Sequence, residues 1–247
     1  MIRVILNGAL GRMGLMMSEA IGADDGFECA ALADVNAQPG SGVLNRLSDC
    51  EAEADVLVDF SHHSAAEEVA AFCESRGMAA VIATTGHTPE EADRLARLSE
   101  KVPVFMSANM SIGVALLCEM AQKAALMFPS ADIEIVECHH NKKLDVPSGT
   151  ALLIARRLTE VREGATVLVG RHENGLRPSG EIGVHSLRMG NEVGRHEVII
   201  STGSETIILR HEAESRSLFA QGALAAARFV AGKEPGLYDM RHLLAEN

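Results

Sequence analysis

Along the first 109 residues, short unbroken apolar runs alternate with stretches in which apolar positions recur at helical spacing. RVILNG (3–8), ECAALAD (28–34), DVLVDF (55–60), AAVIATTG (79–86) and VPVFMSAN (102–109) have the continuous hydrophobicity of strands covered on both faces. RMGLMMSEAI (12–21) and AAEEVAAFCESRG (65–77) read as helices, the second ended by Gly77, and Thr88-Pro89-Glu90-Glu91 opens a third. Strands separated by helices imply right-handed crossovers and a parallel sheet with helices on both faces. The expectation is a doubly wound, Rossmann-type α/β domain. The stretch QPGSGVLNRLSDCEAEA (38–54) reads as a loop with one weak helical turn and no chemistry of its own.

The pattern changes after Asn109. SIGVALLCEMAQKAALMF (111–128) predicts a long helix, DIEIVECHH (132–140) a strand and TALLIARRLTEV (150–161) another helix. Strand-like runs then follow one another at 166–171, 182–190, 196–202 and 205–213, without helices between them. Consecutive strands favour antiparallel or mixed pairing, so a second, α+β domain with a mixed sheet is expected over 110–216. SLFAQGALAAARFVAG (217–232) and LYDMRHLLAE (237–246) read as helices whose Ala-rich apolar face packs back on the first domain, giving 1–109 with 217–247 as one unit.

Composition narrows the function. A core is affordable in 247 residues that are 47% apolar, which excludes a disordered chain. A net charge of −12 without any basic run argues against nucleic acid or an anionic membrane as partner. Aromatics at 3% and the absence of Trp remove the stacking platforms of single-strand binders. No apolar run approaches the roughly twenty residues of a membrane span, and the short run in MIRVILNGAL is no signal-peptide core. Cys29, Cys50, Cys73, Cys118 and Cys138 are odd in number and scattered, which fits a reducing cytoplasm rather than a disulfide framework.

Chemistry concentrates at two places. Gly8-Ala9-Leu10-Gly11-Arg12-Met13-Gly14 joins a predicted strand to a predicted helix, where a sharp turn brings a pyrophosphate against free N–H groups and the positive end of the helix dipole. Gly11 and Gly14 keep the spacing of the last two glycines of the dinucleotide fingerprint, with Gly8 one place early. Asp34 ends the second strand twenty residues after Gly14, where it can accept from ribose hydroxyls. A plain strand-to-helix turn and a solvated loop carboxylate are the alternatives. An acid there followed by Val35, with no adjacent cation for a 2′-phosphate, favours NADH. Arg12 leaves room for NADPH as well. ATTG (83–86) and SANMS (107–111) end two further strands where ligands of open parallel sheets sit, although their hydroxyl and amide groups equally suit helix caps.

The second place is ECHHNKKLDVPSGTA (137–151). On a strand, Glu137 and His139 share one face while His140 points away, too few convergent ligands for zinc, and His62 with His63 meets the same objection, so no metal is expected. Pro147-Ser148-Gly149-Thr150 precedes an apolar helix, and its N–H groups with Lys142 and Lys143 nearby form either an anion pocket or an ordinary cap. His139 beside those cations is either a proton donor or a plain strand histidine.

GALGRMG (8–14), ATTG (83–86), SANMSIGV (107–114), ECHHNKKLDVPSGTA (137–151) and the tail SRSLFAQGALAAARFVAG with GLYDMRHLL together resemble the 4-hydroxy-tetrahydrodipicolinate reductase (dihydrodipicolinate reductase) family of lysine biosynthesis, in family order across nearly the whole chain. The resemblance implies hydride transfer from a reduced nicotinamide to a cyclic, unsaturated dicarboxylate. It implies His139 as general acid, with Lys143 binding a carboxylate or sharing in proton delivery. His140, Ser148, Gly149 and Thr150 would hold carboxylate oxygens. Gly8, Ala9, Leu10, Gly11, Arg12, Met13, Asp34, Ala83, Thr84, Thr85, Ser107, Ala108, Asn109 and Met110 would line the cofactor. It further implies a homotetramer assembled through the second domain. Ala83 replaces a glycine frequent in the family, Val35 replaces a basic residue, and the 35–55 segment is short. The rival readings are a nicotinamide-dependent amino-acid dehydrogenase, which would not need this double-His and Pro-Ser-Gly-Thr combination, and a non-catalytic NADH sensor, which could lose His139 and Lys143.

Overall fold

A computed structural model describes residues 1–246, which form two compact units: Met1–Ser111 with the segment from Ser217 on, and Ile112–Arg216. The first is built on β1 (Ile2–Asn7), β2 (Phe27–Ala33), β3 (Val56–Asp59), β4 (Ala79–Ile82) and β5 (Pro103–Met106). β3 and β4 are buried throughout and β1 from Val4 onward, as crossover helices on both faces require, whereas β2, at the edge of the sheet, is buried only at Phe27 and Ala33. The helices are α1 (Arg12–Gly22), α2 (Ala66–Arg76) and α3 (Pro89–Leu98). Gly77, with φ +59°, ends α2, and Thr88 closes a capping box with Glu91 at the start of α3. Ile5, Leu57, Ile82 and Val104 from the strands pack with Val69, Phe72, Leu95 and Leu98 from α2 and α3.

In the second unit, α4 (Ile112–Met127) and α5 (Gly149–Glu160) pack on a five-stranded sheet of β6 (Asp132–His139), β7 (Thr166–Val169), β8 (Glu181–Arg188), β9 (Gly194–Ser201) and β10 (Thr206–Ala213). The order is β10-β9-β6-β8-β7. β6 pairs parallel with β8 and antiparallel with β9, so the sheet is mixed.

The chain returns to the first unit through α6 (Ser217–Val230), which lies against α1, followed by β11 (Gly236–Tyr238) and α7 (Met240–Ala245). The helical reading of 237–246 is corrected here. Residues 236–238 form a sixth parallel strand beside β5, giving the order β11-β5-β4-β3-β1-β2, and the helix begins only after Asp239. Asp239 accepts from the backbone N–H groups of Arg241 and His242 and so fixes the start of α7. Three residues are too few for a period-2 pattern to show.

The 38–54 stretch is a loop with one short helical turn, as its sequence suggests, but it is also tied to β2. Leu44 bridges Ala33 in parallel, Leu44 N–H donates to Leu32 O and Asp34 N–H to Leu44 O, each at 2.8 Å, and Leu47–Asp49 forms a 3₁₀ turn. ATTG and SANM lie beyond the ends of β4 and β5, as loops at the carboxyl edge of the sheet.

Candidate functional site

β1 sits where the strand order reverses, with β2 on one side and β3 on the other, the position at which open α/β sheets bind ligands. A cleft of about 590 Å³ opens there, walled by Gly8, Leu10, Gly11 and Asp34 together with Asn45, Arg46, Ser61 and His62. Gly8 has φ +80°, and a Cβ on Gly14 would lie 2.1 Å from Gly8 O, so the loop folds this tightly only with glycine at both positions. Gly11 caps α1 without any side-chain acceptor, which leaves the helix's first N–H groups available to an anion. Those features fit a dinucleotide pyrophosphate.

Asp34, 6% exposed, is not a free acceptor. Its Oδ2 takes the Leu10 N–H at 2.9 Å and its Oδ1 the Asn36 N–H at 2.9 Å and Nδ2 at 3.2 Å. It therefore shapes the glycine loop as well as facing the cleft. Ala9, Arg12 and Met13 are not on the cleft wall, and Ala9 is buried. Ala83, Thr84, Thr85, Ser107, Ala108, Asn109 and Met110 also lie off it. Met110 is buried, and Thr84 turns its hydroxyl inward to Asp59 Oδ2 at 2.6 Å. Asp59, which the sequence reading passed over, accepts from Asn7 Nδ2 at 2.8 Å and Ser61 Oγ at 2.6 Å and so ties the ends of β1, β3 and β4 together. Arg46 and Asn45 come from the stretch read as having no chemistry, and their place on the cleft wall corrects that reading.

In the second unit, period-2 alternation does bring Glu137 and His139 to one face of β6, with His139 Nδ1 2.6 Å from Glu137 Oε2. Glu137 is fully buried. Arg188 holds both its oxygens, at 2.8 and 2.7 Å, and Ser148 N–H donates to Oε1 at 3.1 Å. Burial opposes ionisation, but the hydrogen bonds from Arg188, His139 and Ser148 outweigh it and bring Glu137 down to about 2. The anionic carboxylate makes His139 donate from Nδ1, so that in the neutral ring Nε2 is the nitrogen without a proton. Burial pushes His139 below the ordinary histidine range. Glu137 opposes that shift, while Lys143 and Arg188 reinforce it.

The Lys143 ammonium pairs with Asp145 at 2.9 Å, and the Lys143 backbone N–H donates to His140 O. His140 is half-buried just beyond β6, and its Nδ1 has no hydrogen-bond partner among the described residues. Ser148 caps α5 by accepting from Ala151 N–H at 3.2 Å, and its hydroxyl lies 3.1 Å from His196 Nε2. Gly149 and Thr150 form the first turn of α5. His196, which packs edge-on to His139 at 5.2 Å, is pushed down to about 3 by burial and by the neighbouring imidazole. Sequence reasoning missed Arg188, His196 and Gly194. A Cβ on Gly194 would come within 2.9 Å of His139 Nε2, so glycine there leaves room for the ring. His139, Arg188 and Ser148 are thus assembled within the second unit around the buried Glu137, with Lys143 held by Asp145 and Lys142 exposed.

A parallel sheet with a glycine loop at its switch point, joined in one chain to a mixed-sheet unit carrying a buried histidine–carboxylate pair beside a helix N-terminus, has the parts of a nicotinamide-dependent oxidoreductase. Residues 2–110 match the family profile "Dihydrodipicolinate reductase, N-terminus" and residues 113–244 match "Dihydrodipicolinate reductase, C-terminus". The chain is 41% identical over 247 residues to 4-hydroxy-tetrahydrodipicolinate reductase of Caldanaerobacter subterraneus subsp. tengcongensis, covering 99% of this chain and 98% of that one. With the Clostridium novyi enzyme of the same name it shares 38% over 244 residues, 97% of each. Dipicolinate-bound dihydrodipicolinate reductase from Paenisporosarcina sp. TG-14 superposes with a TM-score of 0.82 at 26% identity, over 97% of both chains. The chain belongs to the dihydrodipicolinate reductase family.

Proposed function

We propose that the protein reduces 4-hydroxy-tetrahydrodipicolinate with NADH or NADPH, in lysine and diaminopimelate biosynthesis, that the 4-hydroxyl group leaves as water to give tetrahydrodipicolinate, and that His139 delivers the proton that accompanies the hydride. The observation that carries the proton assignment is the buried Glu137, held by Arg188 and Ser148, which points the Nε2 edge of His139 away from its own partner. The bound dinucleotide supplies the hydride. Everything else falls to side chains. A cyclic dicarboxylate brings two negative charges, met by Lys143 and by the start of α5 at Ser148, Gly149 and Thr150, with His140 at the rim. Lys143 exchanges the exposed Asp145 for a substrate carboxylate. The free site holds His139 neutral, and an arriving dianion raises its proton affinity, so the imidazolium forms when the substrate is in place. It then donates from Nε2 to the ring nitrogen, where negative charge develops.

NADH is proposed as a donor in its own right, because Asp34 faces the cleft at the place where a ribose would lie and Val35 adds no cation of its own. Gly8, Leu10 and Gly11 would receive the pyrophosphate, with the ATTG and SANM loops beyond the sheet edge for the rest of the cofactor. A homotetramer through the second unit's sheet fits its exposed strand β7, where Val167, Leu168 and Val169 meet solvent. The five unpaired cysteines support a cytoplasmic setting, and among the described residues no helix is long and apolar enough to cross a membrane. The decisive assay follows NADH and NADPH oxidation with freshly synthesised 4-hydroxy-tetrahydrodipicolinate. Turnover with either cofactor is expected, and silence with both would remove the assignment.

A further inference from the structure

We propose that Arg46 recognises the 2′-phosphate of NADPH and sets the balance between the two nicotinamide cofactors. The parallel bridge between Ala33 and Leu44 puts the chain after Leu44 alongside the chain after Ala33, so that Arg46 runs abreast of Val35. Two hydrogen bonds of 2.8 Å, Leu44 N–H to Leu32 O and Asp34 N–H to Leu44 O, lock this segment to β2. A third, from Asn45 Nδ2 to Val35 O, is also 2.8 Å long. The basic residue that NADP-binding folds place near the ribose acid is therefore missing from the next position in sequence but present on the neighbouring segment, on the wall of the same cleft.

The charges around it suit an incoming phosphate. Asp34 and Glu68 are the carboxylates on the cleft wall, and both are committed to N–H donors. Asp34 accepts from Leu10 and Asn36, and Glu68 Oε1 accepts from Leu47 N–H at 3.1 Å. Asn36 Nδ2 and Asn45 Nδ2 are likewise engaged, and His62 Nδ1 lies 2.9 Å from Ser64 Oγ. Among the described residues the exposed Arg46 guanidinium makes no hydrogen bond or ion pair. Its five N–H donors form a planar fork suited to two phosphate oxygens at once. NADH presents only a 2′-hydroxyl there and gains little from the fork. Loss of Arg46 should thus act on one cofactor and spare the other.

This assignment rests on the dinucleotide reading of the cleft, and binding measured by calorimetry separates the two. Wild-type protein should bind 2′,5′-ADP more tightly than 5′-AMP. Arg46→Ala should weaken 2′,5′-ADP and NADPH by about tenfold or more, with NADH changing less than about threefold, and Arg46→Lys should retain part of the NADPH affinity. Equal losses for both cofactors, no loss for either, or a wild-type protein blind to the 2′-phosphate would overturn the role of Arg46 while leaving NADH binding, and the reductase reading, in place. A wild-type protein that binds neither cofactor would overturn both.

Discussion

His139 is set by opposing forces: Glu137 favours its charged form, while burial and the cations Lys143 and Arg188 favour the neutral one, and the latter prevail. As the proposed general acid, His139 is protonated in the free protein only below the ordinary histidine range. The value of kcat/KM should accordingly fall as pH rises through an apparent pKa under 6.5, the model value. Glu137→Gln removes the one group that lifts His139 and should move that limb further down. His139→Gln should abolish the limb and lower kcat by about 10²- to 10⁴-fold with little change in KM, whereas Lys143→Ala should damage both. Steady-state rates from pH 5 to 9 decide the matter, and a His139→Gln enzyme with unchanged kcat would transfer the acid role to Lys143.

Elements explain why part of this site was legible in the sequence and part was not. Alternation along β6 puts Glu137 and His139 on one face wherever β6 lies in the sheet, and Pro147-Ser148-Gly149 announces the cap of α5 locally. Arg188 and His196 carry no such signal. They reach Glu137 because β8 pairs with β6 so that Arg188 stands opposite His139, and β9 pairs so that His196 stands opposite Glu137. Register across about fifty residues is settled by packing, not by the local pattern. Arg46 was hidden for the same reason: the bridge that aligns it with Val35 lies in a stretch without periodicity. The cap itself gives a test at this scale. Ser148→Ala removes the acceptor of Ala151 N–H and the polar partner of buried His196 Nε2. A cap is worth about 1 kcal/mol and an orphaned buried group about 1–3 kcal/mol, so a loss of roughly 2–4 kcal/mol is expected in urea unfolding. A loss under about 0.5 kcal/mol would mean that water replaces the hydroxyl.

For the whole molecule, two separate cores and two separate ligand chemistries imply two thermal transitions that respond to different conditions. The glycine loop and its cleft belong to the unit containing β1 to β5, so NADH should raise the transition of that unit by mass action. The titrating burden falls on the other. His196 drops to about 3 from 6.5 on folding, and His139 and His211 are also lowered by burial. Between pH 6.5 and about 3 the unfolded chain binds more protons at His196 than the folded one, so stability present above 6.5 drains away as pH falls. Glu137, lowered from 4.5 to about 2, adds a loss of the same sign between those values. Calorimetric scans from pH 7.5 to 4 should therefore show the transition of the second unit moving down steeply and the NADH-responsive one moving less. His196→Gln, which cannot take up the proton, should flatten the steep one over the upper part of that range. A single transition at every pH, shifted as a whole by NADH and by acid alike, would show instead that the two units unfold as one.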